Sequence, residues 1–146
     1  MDIHWHRDDL RATDNDGLAA AGADGEALPV FVFDDRVLQH GSPPRVAFML
    51  DSLAELREWY RDRGGDLYVA RGDPTAILPD LAVEHGVDTV HCNAGYSGLA
   101  RDRDSAVAEA LDADGVALED HEDALHHEPG SIRTNDGDPY SVYTYF

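Results

Sequence analysis

The run Trp5-His6-Arg7-Asp8-Asp9-Leu10-Arg11 closes an apolar strand with an indole, an imidazole, guanidinium groups and adjacent carboxylates. A buried strand has no structural use for such a crowd, so these side chains mark a site. Trp5, His6 and Arg7 together offer stacking, hydrogen bonding and charge, the combination that holds a planar polar ring. A second stretch, Asn93-Ala94-Gly95-Tyr96-Ser97-Gly98-Leu99-Ala100-Arg101-Asp102-Arg103-Asp104, joins a strand end to a helix start. Asn93 can either hydrogen-bond a ligand or cap the turn, and Arg101 to Asp104 read as a solvated helix face with local ion pairs.

Other chemistry is weaker or absent. His121, His126 and His127 with Glu122 and Asp123 invite a metal reading, but zinc needs several ligands at a definite spacing and no second ligand group accompanies them. They are expected in a surface loop, with no metal site in the chain. Arg71-Gly72-Asp73 reads as a strand end, a turn and a helix cap. The dinucleotide and Walker phosphate loops are missing, as are serine and cysteine nucleophile signatures, which leaves no support for a nucleotide kinase, a conventional NAD enzyme or a covalent hydrolase.

The elements that must position these residues follow from periodicity. Five short apolar runs predict strands at Asp2–His6, Leu28–Phe33, Asp66–Ala70, Thr89–Asn93 and Val116–Glu119, with four helical stretches between them. Asp14 is the expected cap of Leu18–Ala21, and a long run after Pro44 turns Phe48, Leu53, Leu56 and Tyr60 to one face before Gly64-Gly65 ends it. Asp73-Pro74 starts a helix that buries Ile77, Leu78, Leu81 and Ala82 and stops at Gly86. A last helix over Ser97–Asp114 turns Ala106, Val107, Ala110 and Leu111 inward. Alternation of strand and helix specifies an α/β fold, a Rossmann-like doubly wound five-stranded parallel sheet in the order 3-2-1-4-5 with helices on both faces. Its ligand crevice falls between the carboxyl ends of the first and fourth strands, on Trp5-His6-Arg7 and Cys92-Asn93-Ala94. The core is expected over residues 1–120, with 121–146 as a loop-rich tail of the same domain.

The 146 residues suffice for one packed domain without disulfide or metal staples, and the lone Cys92 fits a reducing cytoplasm. Residues 1–20 contain no secretory pattern and no apolar run reaches the roughly 18 residues of a membrane span, so a soluble cytoplasmic protein is expected with no membrane partner. The net charge of −19 is spread along the chain, and all 11 basic residues are arginine. Strong salt shortens the Debye length to about 3 Å at 1 M, where a dense acidic surface stops repelling itself, so the composition reads as adaptation to a salty cytoplasm. The same charge argues against direct DNA contact, which needs Lys and Arg on phosphates.

The chain resembles the amino-terminal domain of the DNA photolyase and cryptochrome family. The likeness is carried by Trp5-His6-Arg7 with Asp9-Leu10-Arg11 and Asp14-Asn15, by Arg45-Val46-Ala47-Phe48, by Gly72-Asp73-Pro74, by Asn93 through Asp104, and by Pro139-Tyr140-Ser141-Val142-Tyr143-Thr144. In that family this domain holds a light-harvesting chromophore, while a helical domain after it binds FAD and the damaged DNA and splits cyclobutane pyrimidine dimers. The resemblance therefore implies an antenna domain, inactive in repair by itself, whose partner is a carboxy-terminal FAD-binding helical domain beyond Phe146, with damaged DNA bound through that partner alone.

The same likeness implies 8-hydroxy-5-deazaflavin as the antenna, with FMN or methenyltetrahydrofolate as alternatives. It nominates Trp5, His6, Arg7, Asp9, Val32, Asp34, Val37, Leu38, Arg45, Asn93, Gly95 and Ser97 as chromophore-binding residues. Asp8 stands where the family usually has a second arginine, Gly95 and Ser97 stand where acidic residues are common, and Tyr145 replaces a usual proline. A stand-alone flavin, deazaflavin or nucleotide-binding module of the same architecture is the competing reading.

Overall fold

The structure is a computed structural model and describes residues 1–125 and 131–138. The strands are β1 (Asp2–His6), β2 (Ala27–Phe33), β3 (Tyr68–Arg71), β4 (Thr89–Asn93) and β5 (Ala117–His121), and the helices are α1 (Asp16–Ala21), α2 (Asp35–Leu38), α3 (Pro43–Arg61), α4 (Pro74–His85) and α5 (Gly98–Asp112). All four strand pairings are parallel and the sheet order is β3-β2-β1-β4-β5, as periodicity specifies.

Side chains of each strand alternate between two faces. Ile3 and Trp5 of β1, Val30 and Val32 of β2, and Val90 and Cys92 of β4 pack on Leu78, Leu81 and Ala82 of α4 and Val107 and Leu111 of α5. On the other face Phe31 packs with Leu53, Leu56 and Tyr60 of α3 and with Leu67. The central strands present a polar set to that second face: His4 and His6 from β1, and His91 and Asn93 from β4, all buried. One sheet face is thus oily over β1, β2 and β4, and the other is polar under α1.

Several local expectations are corrected. Asn15, not Asp14, caps α1: its extended backbone aims Oδ1 at the Leu18 amide, 2.9 Å away, whereas Asp14 takes a left-handed turn with φ 54°. Phe48 is 74% exposed, because the buried stripe of α3 runs Met49, Leu53, Leu56, Tyr60 at steps of four, three and four, and Phe48 stands one position off it. The four-residue α2, capped by Asp34, is too short for a periodic signal. Strand β3 begins at Tyr68, since the Asp66 side chain is engaged by Arg57 and Arg61 of α3. Strand β5 runs on to His121, so that residue lies in the sheet and not in a loop. Asp73 and Gly86 bound α4 as expected, with Gly86 left-handed at φ 64°.

Candidate functional site

Three strands end at the mouth where the winding reverses, and their last residues bring most of the nominated side chains together. The Trp5 indole is buried in the core and meets two guanidiniums, Arg7 at 5.2 Å and Arg103 at 5.0 Å from its ring centre. The side chain of Arg7 is only 3% exposed. Its guanidinium donates to the Asp104 carboxylate and to the Asn93 carbonyl. Arg103 donates to the same carboxylate at 3.1 Å. Asp104 therefore reaches across the mouth to β1, which corrects its reading as part of a solvated face: the pair links residues 97 apart in sequence, a distance at which spacing carries no signal.

His6, Asp9 and Asn93 form a frame behind that cluster. The Asn93 amide donates to Asn15 Oδ1 at 3.0 Å and to the Asp9 carboxylate, while its own Oδ1 accepts from the Gly17 backbone N–H at 2.9 Å. Asn15 donates to Asp9 Oδ2 at 3.1 Å. These bonds seat the start of α1 on the ends of β1 and β4, so Asn93 takes the structural of its two roles. The His6 ring donates from Nδ1 to the Asp9 carbonyl, 3.3 Å away, which leaves Nε2 to accept from the Tyr60 hydroxyl at 2.9 Å. Burial lowers the His6 pKa and keeps the ring neutral.

The remaining nominated residues are spread around the rim. Asp34, largely buried, accepts from the Arg36 backbone N–H at 2.9 Å and from the Arg36 guanidinium at 3.0 Å. Together with Val37, Leu99 and Arg103 it lines a small hollow of about 100 Å³. Val32 is in the core, Leu38 ends α2, and Arg45 is exposed on the first turn of α3. Ser97 caps α5 by accepting from the Ala100 N–H at 3.1 Å.

A larger cleft of about 520 Å³ opens on the oily-face side of β4 and β5, so the stretch 93–104 singled out in the sequence does line a cleft, but beside β5 and not between β1 and β4 where the crevice was expected. Gly95, Tyr96, Arg101, Asp104, Asp120 and Glu122 are among its walls. Gly95 allows the loop to lie close: a Cβ there would stand 2.7 Å from the Ala100 methyl and 3.8 Å from the Arg7 guanidinium. Tyr96 donates to Glu122 at 2.5 Å, a bond that pushes its phenol up to about 12. Burial likewise pushes the Cys92 thiol on the cleft floor up to about 12, so it is no nucleophile at neutral pH.

The cleft falls within the roughly 300–1,000 Å³ of ring-binding pockets, whereas the hollow beside Asp34 and Val37 is below it. A planar ring with polar edges fits the larger space: Arg101 supplies a donor, Asp104 and Asp120 supply acceptors, and the Tyr96 ring offers a stacking face. Asp104 supplies one wall and is held there by its pair with the buried Arg7. The Pro139–Thr144 motif and Tyr145, like His126 and His127, lie outside the described residues.

Residues 2–146 match the family described as DNA photolyase. The chain is 59% identical over 156 aligned positions to the deoxyribodipyrimidine photo-lyase of Halobacterium salinarum, covering 100% of this chain and 32% of that protein. It is 39% identical to a deoxyribodipyrimidine photo-lyase of Synechococcus, covering 97% of this chain and 30% of that one. The bacterial class III photolyase of Agrobacterium tumefaciens superposes with a TM-score of 0.85 at 36% identity, over 97% of this chain and 30% of that one. The archaeal photolyase of Sulfolobus tokodaii, described with two FAD molecules and the implication of a novel light-harvesting cofactor, superposes at 0.81 with 29% identity, over 92% of this chain and 32% of that one. The chain spans about a third of the length of these relatives.

Proposed function

This chain belongs to the DNA photolyase family and corresponds to the amino-terminal α/β part of such a protein, and we propose that it holds the light-harvesting chromophore of a deoxyribodipyrimidine photolyase. The observation that carries the reading is the cleft of about 520 Å³ at the carboxyl ends of β4 and β5, one of whose walls, Asp104, is ion-paired to the buried Arg7. The chromophore, when bound, absorbs light and passes the excitation to FAD in the rest of the protein, where cyclobutane pyrimidine dimers are split.

The residues of this chain bind and orient. Arg101 and Tyr96 hydrogen-bond and stack on the ring, and Gly95 admits it close to the backbone. Trp5, Arg7 and Arg103 fix the wall against which it lies, while His6, Asp9 and Asn93 hold α1 in place behind that wall. Asp34 and Val37 line the second rim, where a chromophore tail reaches, with Val32 in the core beneath that strand end and Leu38 and Arg45 further along α2 and α3. The walls carry the carboxylates of Asp104, Asp120 and Glu122 against the single guanidinium of Arg101, which favours a neutral ring that donates hydrogen bonds, with 8-hydroxy-5-deazaflavin in its neutral form as the first reading. A flavin is the second reading, favoured by the two FAD molecules described for the Sulfolobus tokodaii relative. FAD for catalysis and damaged DNA belong to the helical partner domain, since a chain of net charge −19 supplies no phosphate-binding surface.

The test is the absorption and fluorescence of the chain made in a deazaflavin-producing host and purified at high salt. A visible band that co-purifies is the expected result, and Arg101→Ala should weaken retention by about 1–3 kcal/mol through loss of a charge-assisted bond. Loss in Arg45→Ala with retention in Arg101→Ala moves the ring to the Asp34 rim. Absence of any bound chromophore from hosts rich in deazaflavin or flavin overturns the proposal.

A further inference from the structure

On the sheet face opposite the cleft, three side chains from the two neighbouring strands β4 and β5 converge. His91 and Glu119 are register partners, and His121 follows two residues after Glu119, so alternation puts all three on the polar face while Cys92, Leu118 and Asp120 point into the cleft. His91 Nδ1 is 3.0 Å from His121 Nε2 and 3.6 Å from the Glu119 carboxylate. One potential ligand atom from each of the three lies within 4.8 Å of the others. Tetrahedral zinc with bonds of about 2.0–2.1 Å needs ligand atoms roughly 3.3 Å apart, and the two measured separations straddle that value.

The surroundings suit a metal better than a lone hydrogen bond. The other nitrogen of His91 faces the Asp2 carboxylate at 3.6 Å. With Nδ1 bound to a metal the ring proton stands on Nε2 and faces that carboxylate, the arrangement by which carboxylates orient zinc-bound histidines. His91 is buried, whereas Glu119 is exposed, which leaves an approach from solvent. Next along the same face, His4 is fully buried with no hydrogen-bond partner for either ring nitrogen among the described residues, so the polar stripe is not saturated by protein groups.

We propose that His91, His121 and Glu119 form a site for a divalent transition metal of the zinc class, clamping β4 to β5 with one coordination position open to water. Two imidazoles and one carboxylate select Zn²⁺ and its neighbours over Mg²⁺ and Ca²⁺, which prefer all-oxygen sets. The site is independent of the chromophore cleft, which lies on the other side of the same strands.

The experiment is calorimetric titration of the EDTA-treated chain with ZnCl₂ in high salt and excess Mg²⁺, so that the acidic surface is already occupied. One tight equivalent of Zn²⁺ is expected, with a Tm increase on binding. Glu119→Gln, at an exposed position that leaves packing intact, and His121→Ala should each weaken it, the latter by at least about 100-fold. His85→Gln, at the exposed end of α4, should not change it. Equal Zn²⁺ affinity in wild type, Glu119→Gln and His121→Ala, or Zn²⁺ binding erased by Mg²⁺, overturns the proposal.

Discussion

At the scale of single residues, the buried guanidinium of Arg7 sets the energetics of the mouth. Its charge is taken out of water and is balanced by Asp104, itself mostly shielded, so each is tolerable only because of the other. Asp104→Ala should therefore destabilise the chain by about 3–5 kcal/mol in denaturant unfolding, far above the ordinary cost of an exposed ion pair. Arg7→Met combined with Asp104→Leu should recover most of that loss, and no recovery would show that the pair is not the source. His6 gives a second outcome at this scale. Its ring is buried against Asp9, Tyr60 and the edge of His4, 4.3 Å away, and burial lowers its pKa below the ordinary value near 6.5. The unfolded chain binds a proton that folded His6 refuses, so this stability is full above about pH 6.5 and is lost as pH falls below it, at up to about 1.4 kcal/mol per pH unit. His6→Gln, measured in EDTA between about pH 7 and pH 5, should show a shallower slope; an unchanged slope would mean that the ring is protonated in the fold.

At the scale of elements, the seat of α1 shows which features can be read from a chain and which cannot. Strands β1 and β4 are legible to the residue, because each alternates apolar and polar side chains over five residues. The cap and stop of α4 are legible for a similar reason: Asp-Pro and Gly are local signals with local causes. What cannot be read is any bond that closes through space. Asn93 meets Asp9, Asn15 and Gly17 from 76 or more positions away, and Asp104 meets Arg7 in the same manner, so a turn residue and a surface charge turn out to be the joints between elements. Of the cleft between α5 and β5, the side formed by residues 93–104 was legible but the β5 side was not, since Leu118, Asp120 and Glu122 stand out only when β5 lies beside β4. Gly17 tests the joint. A methyl there would stand 2.7 Å from Asn93 Oδ1 and 2.9 Å from the His4 ring, both buried and unable to withdraw. Gly17→Ala, favourable by helix propensity alone, should instead cost about 1–3 kcal/mol and loosen α1, seen as faster amide exchange over Asp16–Ala21. A stabilised variant would show that α1 rides free of the sheet.

At the scale of the whole molecule, the charge of −19 on 146 residues dominates everything that the local geometry does not decide. Arginines are engaged locally, Arg57 and Arg61 on Asp66, Arg71 on Asp35 and Arg36 on Asp34, and these pairs, exposed except at Asp34, leave a large acidic excess unanswered. In dilute buffer that excess repels itself over the roughly 10 Å Debye length at 0.1 M, and the folded state, being compact, suffers more than the expanded chain. Raising KCl shortens the range to about 3 Å at 1 M, which weakens the few attractive surface pairs slightly and the many repulsions greatly. The Tm should therefore climb steeply from about 0.1 to 1 M KCl and flatten beyond, because screening saturates once the Debye length falls below the spacing of neighbouring charges. Salt that acts instead by strengthening apolar burial gives a rise that continues in proportion to concentration and is larger for sulfate than for chloride. A set of exposed Asp→Asn replacements on α3 and α5, at Asp51, Asp102 and Asp112, separates the two: under screening they raise the low-salt Tm and flatten the salt curve, and under burial they leave its slope unchanged. The buried Arg7–Asp104 pair lies out of reach of bulk ions, so the wall of the cleft should hold its geometry across the whole salt range while the surface around it is stabilised.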